Sequence, residues 1–451
     1  MDEQDILLQE ILEAIKNEDA HALRTFLEEI HPFDMAQALL QMDEDERVLF
    51  RKLTDEELAD LIEELDYEEQ QSLLKKMGPA RGIRIIEKMA PDDAADYLGE
   101  LDEEERTEII AKLRPDFAED INQLLNYPEN SAGGLMTTEF FVLYAHDTVE
   151  KTIERLRQLA PDAESAYYLY VVDDHHQLYG VVSIRELIVS QPQTKIEEIM
   201  SERVVSVPVD MDQEEVARTM SNYGFLAVPV VKGNRMVGVI TVDDAMEVME
   251  EEASEDMMKF GGITGPEAGM QDLSVSAVKS AMGRIPWLVG LLGVGIMAGN
   301  IISHYEETLS AVVVLAMFIP MMAGMAGNTG TQSLAVVVRG LTMGQFKGKD
   351  VWRLIRREAA VGLLIGVVNG FLISIIAAVW HDSLILGFVI GLSLWITMFF
   401  ATLAGTIVPL IMTKLKIDPA VASGPFITTL NDLVGLTIYF SVATWFMKYL
   451  V

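Results

Sequence analysis

PAVASGPFITTLNDLVGLTIYFSVATWFM, from Pro419 to Met447, runs for 29 residues with one charge, Asp432. A helix needs roughly 20 mainly apolar residues to cross a bilayer core, so this stretch predicts a membrane span with a carboxylate inside it. Toward the N-terminus, Ser383 to Thr413 (31 residues), Ala359 to Trp380 (22) and Ser310 to Val338 (29) carry no charge. Trp287 to Ser303 adds 17 uncharged residues, extended at its start by Ile285 and Pro286. Five such runs in succession exceed what the buried helices of a soluble protein supply, and predict an α-helical transmembrane bundle of five spans over residues 283–451.

The loops orient the bundle. Arg339, Lys347, Lys349, Arg353, Arg356 and Arg357 join the second run to the third, and Lys414 and Lys416 join the fourth to the fifth. The first-to-second and third-to-fourth connections, SHYEET and HDS, hold no Lys or Arg. Basic loops stay cytoplasmic. The expectation is a multi-pass protein of the cell (inner) membrane, N-terminus cytoplasmic and C-terminus outside. The start, MDEQDILLQE, lacks a basic and then apolar segment, so no cleaved secretory signal is expected.

Charge separates the two parts of the chain. Of 34 Lys+Arg and 70 Asp+Glu, residues 283–451 hold 10 and 7, which leaves 24 and 63, a net of −39, for the first 282 residues. Such a surface repels nucleic acid and anionic lipid and attracts cations. Cysteine is absent, which excludes disulfides and cysteine-built zinc or iron–sulfur centres.

Polar breaks interrupt the apolar runs. In PMMAGMAGNTGTQS, Pro320 to Ser333, the proline removes a helical hydrogen bond, and Gly324, Gly327 and Gly330 let backbones approach. Asn328 there, with Thr428, Asn431 and Asp432 in the last run, adds neutral and charged oxygens. Gly324, Gly327, Asn328, Thr428, Asn431 and Asp432 are the candidate pore lining. A carboxylate inside a span faces a bundle interior or water and marks an ion path; the alternative is a structural carboxylate bonded to a neighbouring helix. Every donor near Asp432 is a hard oxygen, the preference of Mg2+, with Co2+, Mn2+ and Ca2+ as alternatives. A two-fold homodimer would place two copies of Asp432 around one pore.

Residues 1–130 read as short amphipathic helices. MDEDERVLFRKL from Met42, LDYEEQQSLLKKM from Leu65 and LDEEERTEIIAKL from Leu101 share an Asp at the N-cap, an acidic first turn and a basic last turn. Repetition of this kind predicts a helical superhelix. Two later stretches, YYLYVVDDHHQLYGVVSIRELI and GFLAVPVVKGNRMVGVITVDDAMEVM, share a strand, hairpin, strand and helix, with Gly180 and Gly238 at matching points and Met136 and Met200 opening each copy. This pattern resembles a tandem pair of CBS domains, 136–200 and 201–250, an α/β module that often binds adenine nucleotides between its halves. The resemblance implies a ribose contact at Thr241 and Asp244; the first copy departs from it with Ser183 and Glu186. Tyr168 and Phe225 are placed to stack on an adenine and Arg185 to meet phosphate, or else the two aromatics are ordinary strand packing. DDAMEVMEEEASEDMMKF, from Asp243, then runs as an acidic connecting (plug) helix and linker over 243–282, or a solvated linker helix.

GNTGTQS with the following RGL, and DPAVASGPF with TTLND, in this domain order, resemble the MgtE family of magnesium channels over essentially the whole chain. The resemblance implies a homodimeric Mg2+ channel with a hydrated-ion site at Asp432, closed when cytoplasmic Mg2+ binds carboxylates between superhelix, CBS pair and connecting helix. Matching positions are Asp92, Asp93, Asp96, Glu214, Asp243, Asp244, Glu247, Glu252 and Glu255, with Asp418 facing the cytoplasm. Ala326 stands where many members have Gly, and Gly224 where some have Asp. The expected ligands are Mg2+ and, as a modulator, ATP; no nucleophile–base pair points to an enzyme. A membrane-anchored nucleotide sensor that moves no ion is the competing reading.

Overall fold

The computed structural model describes residues 31–40, 53–159, 168–173, 175–263, 277–342, 346 and 349–451. The expected helices before residue 31, the repeat opening at Met42 and linker residues 264–276 lie outside these. The chain divides into two compact units, Met1–Met249 and Glu250–Val451.

The first unit opens with short helices: α1 (Pro32–Leu40), α2 (Asp55–Glu63), α3 (Tyr67–Met77), α4 (Pro79–Ile86), α5 (Pro91–Gly99), α6 (Glu103–Ile110) and α7 (Pro115–Leu124). Proline starts α4, α5 and α7, where its missing N–H costs no helical bond. Thr54 and Glu57 form a reciprocal capping box at the start of α2. Asp66 and Asp102 stand at the N-caps of α3 and α6 as expected, yet neither side chain makes the capping bond. The basic last turn holds for α3, with Lys75 and Lys76; α6 ends at Ile110, and Lys112 reaches back to Glu108 at 2.6 Å instead. Leu58, Leu61, Ile62, Ile85, Leu98 and Ile121 are fully buried, each worth roughly 1.5–3 kcal/mol. Their core continues into Val216, Val228 and Ile240, so helical repeats and second CBS copy share one interior.

Each CBS copy is a three-stranded sheet of the same plan. β1 (Val142–Tyr144) lies parallel to β2 (Tyr168–Val172), which pairs antiparallel with β3 (Leu178–Ser183); α8 (Val149–Leu159) links the first two strands and α9 (Ile184–Val189) follows. In the second copy β4 (Val207–Pro208), α10 (Gln213–Tyr223), β5 (Ala227–Lys232) and β6 (Arg235–Thr241) repeat the order, and α11 (Val242–Phe260) follows. The matching glycines have a shared task. A Cβ at Gly180 would meet Met200 Sδ at 2.7 Å, and one at Gly238 would meet Met136 Sδ at 2.5 Å. Each copy's opening methionine thus occupies the space left by the other copy's glycine. Bridges Thr137–Val239 and Val181–Ser201 repeat that exchange in the backbone.

In the second unit five long helices stand among the described residues: α12 (Ala277–His304), α13 (Leu315–Thr342), α14 (Lys349–His381), α15 (Leu384–Lys414) and α16 (Gly424–Trp445). Four are long and apolar enough to cross a membrane: α12 from Ser280, α14, α15 and α16. The expected fifth, α13, has the length, 28 residues, but its glycines and the Asn328–Gln332 stretch dilute its apolar character. α14 and α15 pack by small residues. Gly362, Gly366 and Gly370, at four-residue spacing, face Thr402, Trp395 and Gly391 of α15. Ser383 and Ser423 cap α15 and α16 through the amides of Leu386 and Phe426.

Candidate functional site

The glycine-rich turns of α13 lie antiparallel against α16. Cβ atoms at Gly327 and Gly330 would strike Thr428 and Asn431, and one at Gly435 would touch Ala326. Asn431 is 1% exposed, and its Nδ2 donates to the Ala326 carbonyl at 3.4 Å. Gly327 and Asn431, expected in the pore lining, therefore serve within one chain as the contact that lets α13 and α16 touch. Gly324 and Asn328 are exposed on α13, where Gln332 continues the four-residue spacing. Thr428 and Asp432, one turn apart on α16, are half-buried, and Asp432 Oδ1 is buried with no hydrogen-bond partner among the described residues. A buried carboxylate oxygen without a donor is costly unless a cation or ordered water completes it.

Gly405 of α15 brings the third wall. Its Cβ would strike the backbone oxygen, carbon and Cα of Gly330, none of which can rotate away. Gly405→Ala is expected to cost about 1–3 kcal/mol through overpacking, lowering the melting point in detergent. A melting curve equal to that of the unsubstituted chain would contradict this packing.

Two features near these helices escaped sequence reasoning. Glu358, one residue before the run that starts at Ala359, is 4% exposed, and Ser333 Oγ donates to its Oε2 at 3.2 Å. Asp432 is thus not the sole carboxylate enclosed by these helices. The second feature is Lys259 at the end of α11. Its ammonium lies 2.8 Å from Asp418 and 2.7 Å from Glu255, so these two expected metal ligands meet on a lysine. Burial by itself would lower the Lys259 pKa; the bonds to both carboxylates outweigh it and leave the ammonium raised. Asp418 also accepts from the Ala420 amide at 2.8 Å. Past Lys259 the chain turns at Gly262 (φ +76°), where a Cβ would strike the indole of Trp287 on α12.

In the first unit, the acids of PDDAAD on α5 face the start of α11. Burial, then repulsion from Asp92, Glu63, Asp96 and Asp244, pushes Asp93 up to about 9. Burial, then Asp92, Glu129, Asp244 and Glu247, pushes Asp96 up to about 7, although its carboxyl still reaches solvent. Burial also raises Asp244 against the pull of two bonds from Thr241, whose Oγ1 donates at 2.7 Å. Glu63 and Glu129 are acidic neighbours that sequence reasoning missed, because they lie on separate elements. Glu214 is instead held by Arg218 on its own helix, and Asp243 is exposed. Glu252 is half-buried farther along α11. Among the described residues, no three Asp, Glu or His side chains converge within one chain to hold a metal ion. The donor set around Asp93 and Asp96 is nevertheless all oxygen and has no basic partner for either residue among the described residues, which suits a hydrated Mg2+.

Two of the nucleotide candidates, Tyr168 and Phe225, sit together. The rings of Tyr168 and Phe225 are 6.4 Å apart, edge to face, and Tyr223, missed in the sequence, stacks on Phe225 at 5.2 Å. Arg185 is exposed. Thr241–Asp244 and Ser183–Glu186 both close as helix caps; the Ser183 amide donates to Glu186 at 2.9 Å.

The MgtE divalent cation transporter family matches residues 319–442, its intracellular N domain matches 30–130, and CBS domains match 132–191 and 196–251. The chain is 42% identical over 447 residues to the magnesium transporter MgtE of Bacillus subtilis, covering 98% of each chain. It is 45% identical to that of Enterococcus faecalis over 100% of this chain and 99% of the relative. The chain belongs to the MgtE family. Two solved structures share the fold of about half of the chain. The soluble part of a magnesium transporter superposes with a TM-score of 0.53 at 36% identity, covering 56% of this chain and 100% of that one. The cytosolic domain of the Mg2+ channel MgtE in complex with ATP gives 0.50 at 40% identity, covering 53% and 99%. Both departures from the MgtE pattern have physical readings here. Ala326 keeps its carbonyl in use, as the acceptor of Asn431, while its methyl packs against Gly435. Gly224 closes α10 in a left-handed turn with φ +66°, which an Asp would adopt at some cost.

Proposed function

We propose that this chain is a Mg2+-selective channel or transporter for Mg2+ uptake, working as a homodimer in the cell membrane, with five spans, a cytoplasmic N-terminus and an outward C-terminus. Asp432 is its ion site, and α13, too polar to face lipid, is its central span. The observation that carries this reading is the buried Asp432 oxygen with no hydrogen-bond partner among the described residues, on a helix with no other charge. Gly324, Asn328 and Gln332 support it, as a polar stripe on the exposed side of a helix in this bundle. α12, with Leu288, Leu292 and Ile296 all exposed, is suited to lipid or to a second copy.

Gating is assigned to the first unit together with α11. Residues 1–130, the CBS copies at 136–200 and 201–250 and the connecting segment 243–282 form the sensor; residues 283–451 form the pore. Cytoplasmic Mg2+ would settle among Asp92, Asp93, Asp96, Asp244 and Glu247 and relieve their repulsion. Whichever state holds these acids together binds more Mg2+, so rising Mg2+ favours that state by linkage. It is assigned as the closed one. Lys259, bonded to Asp418 and Glu255, and Gly262 under Trp287 connect α11 to the helices beyond it.

The direct test is Mg2+ uptake into liposomes by purified protein, with and without internal Mg2+. Uptake suppressed by internal Mg2+ is the expected result; no uptake under any condition would favour the nucleotide-sensor reading. Equal uptake of Co2+, Mn2+ or Ca2+ in competition with Mg2+ would remove the selectivity claim. ATP is proposed to bind at Tyr168, Phe225, Arg185, Thr241 and Asp244, as the relative's cytosolic domain binds it. Aromatic stacking on a base is worth about 1–3 kcal/mol, so Phe225→Ala is expected to weaken ATP binding about tenfold by calorimetry. Unchanged affinity would place ATP elsewhere.

A further inference from the structure

A cavity of about 480 Å³ lies in the first unit between α7 and the tips of the two CBS hairpins. It is lined by none of the residues assigned to nucleotide or Mg2+. One wall is α7 and its continuation, with Asp120, Gln123 and Tyr127; the floor is apolar, with Val142, Val172 and Met236. The mouth holds Lys232, Arg235 and His176.

Three observations point to an anionic occupant. First, acidic residues outnumber basic ones 70 to 34 in this chain, and yet neither Lys232 nor Arg235 has a carboxylate partner among the described residues. Lys232 Nζ instead lies 5.3 Å from the centre of the Tyr127 ring. A cation without a carboxylate partner is unexpected on such an acidic lobe, and two at one cavity mouth more so. Second, the mouth is built rigidly. The Leu178 amide donates to Asn234 at 2.9 Å, the Met236 amide to His176 at 3.3 Å, and Asn234 Nδ2 to Gln177 at 3.4 Å. His176 is one of three non-glycine residues with positive φ among the described residues, +58°, held there by these crossings. Third, the one acid in the wall, Asp120, is raised by burial and then by Glu119 and Asp116, which eases its protonation beside an anion.

We propose that this cavity binds an organic phosphomonoester, with Lys232 and Arg235 on the phosphate and the apolar floor and Tyr127 against its flat or apolar body. An Arg fork and a Lys ammonium together suit a phosphate, and the volume suits a small organic molecule. The occupant would tie α7 of the helical domain to both CBS hairpins.

The test uses full-length protein in detergent, with phenyl phosphate as probe and phosphorus NMR or calorimetry as readout. Saturable binding is expected, at least tenfold tighter than inorganic phosphate. Lys232→Gln with Arg235→Gln is expected to weaken it at least tenfold. The control pair Lys112→Gln with Lys195→Gln removes the same charge outside the cavity and is expected to change it less than twofold. All four side chains are exposed, and thermal melting checks that each variant folds. No saturable binding, or equal loss in the control pair, overturns the site; equal affinity for inorganic phosphate overturns the role of the apolar floor.

Discussion

Asp432→Ala is expected to abolish Mg2+ uptake while the protein still inserts and melts as a folded membrane protein. Two unit charges 4 Å apart at an effective dielectric near 20 attract by about 4 kcal/mol, and about 1.4 kcal/mol is tenfold. Removing the carboxylate should therefore cut uptake by at least about 100-fold. Its buried Oδ1 has no donor among the described residues, so no bond seen there is lost with it; the alanine variant should melt no lower than the parent. That combination separates an ion site from a structural carboxylate, whose removal would lower the melting point. Asp432→Asn keeps the shape without the charge and should fail equally or lose selectivity. Selective uptake in both variants would end the assignment.

Asp93→Asn with Asp96→Asn is expected to leave a conducting channel that no longer closes at the parent's internal Mg2+ concentration. Moving a conformational equilibrium from 1:99 to 99:1 takes about 5.5 kcal/mol of differential binding, more than one weakly held ion supplies. The acids crowded around Asp93 and Asp96 attract cations jointly, through their summed charge. Without both carboxylates the Mg2+ needed for half-closure should rise more than tenfold, measured as inner-face patch current. The same pair should raise the melting point of the Mg2+-free protein, because the cost of burying these two acids, and then their repulsion with neighbouring acids, is gone, and should blunt the further rise that Mg2+ gives the parent. Closure at the parent's Mg2+ concentration would remove Asp93 and Asp96 from the sensor. Neutralising Asp243, Glu247, Glu252 and Glu255 together mixes two effects, since Glu255 holds Lys259.

What the sequence determined alone is whatever follows from local pattern. Apolar run length exposes spans, because every backbone group in lipid must be bonded within its helix. The doubled strand–hairpin–strand pattern exposes the CBS pair, and the acid excess exposes the cation-attracting lobe. The PDDAAD acids became candidates through the resemblance to the MgtE family, since nothing in their local pattern sets them apart from the other acids of the lobe. The rest depends on contacts between elements distant in the chain. That Gly327 and Asn431 serve packing while Gly324 and Asn328 face outward follows from which side of α13 meets α16. Glycine spacing alone does not select that side. Glu358 became visible once Ser333 and the neighbouring helices enclosed it, since its own sequence context reads as a charged loop. Asp418 and Glu255 look like any exposed acids in one dimension; Lys259 becomes their shared partner when α11 meets the turn before α16. The cavity under Lys232 and Arg235 needs α7 and two hairpins, drawn from three separate stretches of chain. Tertiary structure decides such sites because charge and hydrogen-bond energies depend on distance and burial, which local sequence pattern does not contain.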